Sequence, residues 1–172
     1  MFIELIAVIF AGLACAGMAM LLNRATGGRL PRWIVPVAAG LGMLAVTISN
    51  EYTWFSRTAA QLPDGLEVVM TVENDSWFRP WTRAFPYVER FVAVDTGTAR
   101  TNAALPDLRL ANLYFFGRWS PVNEAPMLFD CAGARSALLI DGASFGVDGA
   151  VTDAQWEDMP EDDPILALVC ET

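Results

Sequence analysis

The sequence predicts two transmembrane α-helices forming a hairpin, followed by a small, β-rich α+β domain whose C-terminal helix is held by a disulfide. Three observations carry this expectation. Two apolar runs fill residues 1–50. Short runs of strand-forming residues, separated by turn signals, follow from residue 66. The last segment is a capped apolar stretch containing Cys170, and Cys131 is the other cysteine outside the apolar runs.

Residues 2–22 are apolar except for Glu4. At about 1.5 Å per residue they extend roughly 31 Å, enough to cross a hydrocarbon core. Residues 33–49 form a second run of roughly 26 Å, at the short end for a span. Pro36 falls in its first turn, where proline removes little hydrogen bonding. The alternative is a hairpin buried in a soluble core, but core helices seldom lack polar residues on every face. Residues 23–32 join the runs and hold Arg24, Arg29 and Arg32 without an acid. Arginine-rich short loops stay cytoplasmic. Both termini are therefore expected on the other side, the periplasmic side of a bacterial inner membrane. Trp33, Tyr52, Trp54 and Phe55 fall where interfacial aromatics belong.

A cleaved signal peptide fits poorly, because Glu4 stands where a basic region is expected. Gly12 occupies the position of the large aliphatic that precedes a lipoprotein cysteine, so Cys15 reads as a small residue within a span. Gly12 and Ala16 stand four apart in the first run, and Ala38 and Gly42 four apart in the second. That spacing lets helices approach closely, either each other or a larger membrane partner. The layout is then a two-helix anchor at 1–50 with a cytoplasmic turn at 23–32, and a periplasmic domain at 51–172.

Composition narrows the chemistry. The 172 residues include no histidine, and all eleven basic residues are arginine. Triads and dyads built on histidine or lysine cannot be assembled, nor can histidine-ligated metal or haem sites. No cofactor and no metal site is expected. After Asn50, nineteen acids face eight arginines, a net charge of −11. Nucleic-acid binding requires the opposite sign. An acidic domain can steer a basic soluble partner such as a cytochrome c, or simply keep itself soluble.

Along the domain, Pro63-Asp64-Gly65 signals a turn and 66–72 a first strand. Trp77, Phe78 and Trp81 surround Arg79, a cluster that suits a small core, the membrane interface or a partner site. Strands are expected at 90–95, 108–116, 127–131 and 134–140, with a loop at 121–126 and a turn at Asp141-Gly142. Residues 145–151 read as a loop or weak hairpin because of Gly146 and Gly149. Asp163 before Pro164 is a good helix start, and the acids of 157–163 read as a solvated lead-in to it. A calcium site there would lack the usual ligand spacing. In an oxidising compartment Cys131 and Cys170 are expected to pair. Inverted topology would leave two buried thiols instead.

One motif points to catalysis. Asp95-Thr96-Gly97 after a hydrophobic strand matches the signature of aspartic proteases. Such enzymes need two carboxylates sharing a proton, so one copy would require a dimer. Asp141 stands where the supporting glycine of a later apolar pair is expected. A strand ending in this tripeptide is also an ordinary turn.

The series Asp95, the strand at 108–116, Phe129-Asp130-Cys131, Arg135, Trp156 and a terminal helix ending at Cys170 resembles the surface-adhesin E type of small bacterial β domain, over residues 88–170. The resemblance implies an antiparallel sheet with a disulfide-pinned helix and no catalysis. Two apolar spans depart from that type, so host-protein binding is not carried over. The functional expectation is a non-enzymatic accessory, structural or assembly subunit of a larger membrane complex, respiratory or electron-transferring among the options. Its partners would be membrane lipid, an integral-membrane complex and a basic periplasmic protein. The alternatives are an aspartic protease using Asp95 and a stand-alone periplasmic binding module using Trp77, Phe78 and Trp81.

Overall fold

A computed structural model describes residues 2–74, 77, 79, 81–102, 105–139, 144–145, 151–152, 154–160 and 162–171. The chain divides into two compact units, 1–56 and 57–172.

The first unit is helical. Helix α1 spans Phe2–Ala25 and helix α2 Ile34–Ala59. Both are long and apolar enough to cross a membrane. Their apolar side chains point outward: Leu5, Phe10, Leu13, Leu21, Leu41 and Leu44 are all more than half exposed. A water-soluble hairpin would bury such residues. The helices meet through small residues. A side chain added at Gly12 would run into Met43, and one at Gly42 into Cys15 and the Ala11 carbonyl. Ala16 and Ala38 are half-buried. After α1, Gly27 and Gly28 adopt φ of 73° and 77°, the left-handed region that a side chain resists. The Gly28 N–H returns to the Asn23 carbonyl at 2.8 Å, and the Asn23 side chain accepts the Leu30 N–H at 3.0 Å. Arg24 lies in the last turn of α1, where the helix dipole favours a cation.

The second helix does not end with its apolar run at Ser49. It continues to Ala59 because residues 50–59 hold no proline or glycine. The hydroxyls of Thr53 and Ser56 donate to the Ser49 and Thr53 carbonyls within it. Pro63 and Gly65 lie just beyond its end.

The second unit is an antiparallel, curled β-sheet with a C-terminal helix. Its strands are β1 Leu66–Glu73, β2 Val88–Asp95, β3 Arg100–Asn102, β4 Leu105–Gly117, β5 Ser120–Asp130, β6 Arg135–Leu138 and β9 Trp156–Asp158. A one-turn helix α3, Trp81–Ala84, lies between β1 and β2. A separate two-stranded ladder pairs β7, Ser144–Phe145, with β8, Val151–Thr152. The main order is β1-β2-β4-β5-β6-β9, with β3 sharing the β2 edge of the long β4. Register irregularities in β1, in the β3–β4 pair and near the β4–β5 turn accompany the curl.

Helix α4, Pro164–Glu171, packs on one sheet face. Ile165, Leu166 and Val169 meet Val94 of β2, Ala111 and Leu113 of β4, and Phe129 of β5. The Asp163 carboxylate accepts the Ile165 N–H at 2.8 Å, the N-cap that the sequence signals. At the other end Cys170 is bonded to Cys131, with Cα atoms 5.8 Å apart. The opposite sheet face buries Phe91, stacked on Phe116 at 4.6 Å, and Ala93.

Three expectations change. Residues 121–126 are not a loop but the first half of β5. Through 121–125 β5 pairs with β4 alone, and Pro126 serves its second neighbour as an acceptor, its carbonyl taking the Leu139 N–H at 2.9 Å, so neither proline withholds a needed donor. The strand expected at 134–140 begins at Arg135, because Ala134 takes φ 47° in the preceding turn. The acidic lead-in 157–163 begins inside a strand, since Glu157 and Asp158 belong to β9 at the sheet edge. Charged residues are common on such edges. The expected turn at Asp141-Gly142 lies outside the described residues.

Candidate functional site

Strand β4 alternates apolar and polar residues. Ala111 and Leu113 face α4, so Leu110, Asn112 and Tyr114 share the opposite face. Asp95 at the end of β2, Thr98 in the turn and Arg100 at the start of β3 complete a polar cleft of about 350 Å³ with them. Tyr114 is paired across the ladder with Glu124 of β5. Burial and the Glu124 carboxylate push the Tyr114 phenol above its ordinary value, and the charge of Asp95 adds to this. The cleft can hydrogen-bond a small polar ligand through a guanidinium, a phenol and an amide.

Asp95 is committed to its own turn. Its two carboxylate oxygens accept the Thr98 N–H at 3.1 Å and the Thr98 hydroxyl at 2.7 Å. The Thr96 N–H and hydroxyl donate to the Gly65 carbonyl at 2.8 and 3.0 Å, tying this corner to the start of β1. This is the hydrogen bonding of an Asx-type turn. Residues 140–142, which hold the later part of the protease-like pattern, lie outside the described residues.

A second polar cluster caps the β5–β6 turn. The Arg135 guanidinium meets the Asp130 carboxylate through Nε and Nη2, each at 2.7 Å. The Gly133 N–H donates to the other oxygen at 3.0 Å. Burial alone would raise the Asp130 carboxyl, but Arg135 and the turn N–H groups outweigh it and hold the group below its ordinary value. Arg135 also lies 5.0 Å over the Trp156 ring. Asp130 and Arg135, five residues apart, and Trp156, more distant in sequence, thus form one cap beside Cys131.

Of the aromatic cluster, Trp77 is 81 % exposed, which removes it from the core. Arg79 is exposed and donates to the Tyr87 hydroxyl at 3.3 Å. Phe78 and the Trp81 side chain lie outside the described residues. Arg24, Arg29 and Arg32 are all exposed. Among the described residues, no three acidic or sulfur side chains converge as a metal site.

Sequence reasoning did not single out Thr98, Arg100, Asn112, Tyr114 or Glu124. The available signal was the alternation of polar residues in β4. Which acid stands opposite Tyr114 depends on the β4–β5 register, and that follows from a hairpin turn at Arg118-Trp119. No family model, characterised protein or solved structure matches this chain.

Proposed function

We propose that this chain is a non-catalytic membrane protein, an accessory or assembly subunit of a larger complex in a bacterial inner membrane. In this reading α1 and α2 cross the bilayer, the turn with Arg24, Arg29 and Arg32 is cytoplasmic, and the acidic β domain is periplasmic. The exposed apolar surfaces of α1 and α2 support the membrane placement. One further observation carries the subunit role. Beside the short α4, the same sheet face leaves Met70, Val72, Phe115 and Leu138 between 40 and 48 % exposed. They line up through the pairs Met70–Val92, Val92–Phe115 and Met127–Leu138, on either side of residues that pack against α4. A contiguous apolar stripe of this kind is a protein-contact surface. The turn-bound Asp95 supports a non-catalytic role.

The test is purification of tagged chain in mild detergent, with mass spectrometry of whatever co-elutes. A stoichiometric membrane complex is expected, and a Phe115→Ser, Leu138→Ser pair should release it. Recovery of a homogeneous lone monomer overturns the reading.

A further inference from the structure

The end of the sheet at the β1–β2 connection carries a chemistry unlike the rest of the domain. Glu73 pairs with Val88, so residues 74–87 form a connection at that end. The β4–β5 turn lies beside it: Arg90 pairs with Gly117, and the Arg118 N–H donates to the Glu89 carbonyl at 3.0 Å. Among the described residues, three large exposed aromatics belong to these two segments. Trp77, Phe85 and Trp119 are 81, 68 and 62 % exposed. Arg79 and Arg83 are exposed among them.

We propose that this aromatic, arginine-bearing end docks into the headgroup layer of the bilayer that the chain's own helices cross. The inference rests on the membrane-anchored reading above. Indole rings favour the boundary between headgroups and acyl chains, where an apolar body and a polar N–H are both satisfied. Arginine pairs with lipid phosphates in bidentate geometry. Residues 74–87 hold two arginines and one acid, in a domain that otherwise carries a large excess of acids. At this end Glu73, Asp75 and Glu89 are offset by Arg79, Arg83, Arg90 and Arg118, whereas the rest of the domain is repelled by an anionic lipid surface, so charge favours this orientation. Only residues 60–65 separate α2 from β1. That tether enters β1 at Leu66, the end away from the patch, so it raises the domain's effective concentration at the bilayer without itself placing the patch.

The test uses the full chain reconstituted into vesicles of phosphatidylcholine with a minority of phosphatidylglycerol, with acyl chains brominated near the headgroups. Subtracting the emission of Trp77→Phe or Trp119→Phe from that of the unaltered protein isolates each indole. Both rings are exposed, so neither change threatens the fold. The expected result is that each isolated emission falls by roughly half in brominated vesicles and is shielded from aqueous acrylamide, as for an interfacial indole. Emission open to acrylamide and untouched by bromine overturns docking. Emission shielded from both assigns the patch to a protein contact and also overturns it. Flotation with the vesicles after an alkaline carbonate wash tests the anchored reading separately. Protein lost in that wash overturns both, whereas retained protein with unquenched indoles overturns docking alone.

Discussion

Asp130 sits where several demands meet. It closes β5, precedes the disulfide and receives both Arg135 and the Gly133 N–H. Because its carboxyl is held below the ordinary value in the fold, its contribution to stability is present above the unfolded value. It is lost as pH falls through the folded one. Asp130→Asn should therefore cost about 1 kcal/mol near neutrality, a modest figure because Arg135 is partly solvated. Denaturant unfolding of the two proteins should show that difference shrinking below about pH 4, where the unfolded carboxyl protonates. Tyr114 works with the opposite sign. Its neutral form is favoured in the fold, so its contribution holds below the ordinary phenol value and is lost as pH rises through the folded one. The phenol absorbance change missing from Tyr114→Phe should titrate above the ordinary phenol range, and Glu124→Gln should lower it part of the way, since burial remains.

Helix α4 is eight residues long, too short to persist alone. It is held by a cap at one end, a disulfide at the other and an apolar face between them. Asp163→Ala should cost about 1 kcal/mol, read by chemical denaturation. Replacing Cys131 and Cys170 together by serine should cost about 4 kcal/mol, since the bond closes a loop of about 40 residues in the unfolded chain. Limited proteolysis should then release the terminal helix first. This element was legible in the sequence because its signals are local: Asp163, Pro164 and an apolar run ending at Cys170. The first half of β5 and strand β9 were not. Two prolines and an acidic run conceal them, and both form because a neighbouring strand presents an edge in register. The polar cleft shares that limit. Its residues come from β2, the turn after it, β3 and β4, and no short window of sequence contains them all.

At the scale of the whole molecule, the proposed membrane topology and the oxidation of the disulfide are one question. A bond such as that between Cys131 and Cys170 forms and is kept in an oxidising compartment and is rare in a reducing one. In the proposed topology the arginines of the turn hold that turn in the cytoplasm, and so fix the side on which both cysteines emerge. Replacing Arg24, Arg29 and Arg32 together by glutamate removes this bias without touching the β domain. The altered protein should insert in both orientations, and the inverted fraction should keep its cysteines reduced. Alkylation of whole cells in denaturant reads this by mass. The unaltered chain holds one free thiol, Cys15, and should gain one adduct. The inverted fraction should gain three, since Cys131 and Cys170 are then also free. The same fraction should lose the roughly 4 kcal/mol that the cross-link contributes and degrade faster in the cell. A single adduct on all molecules of the altered protein would show that the arginines do not set the topology.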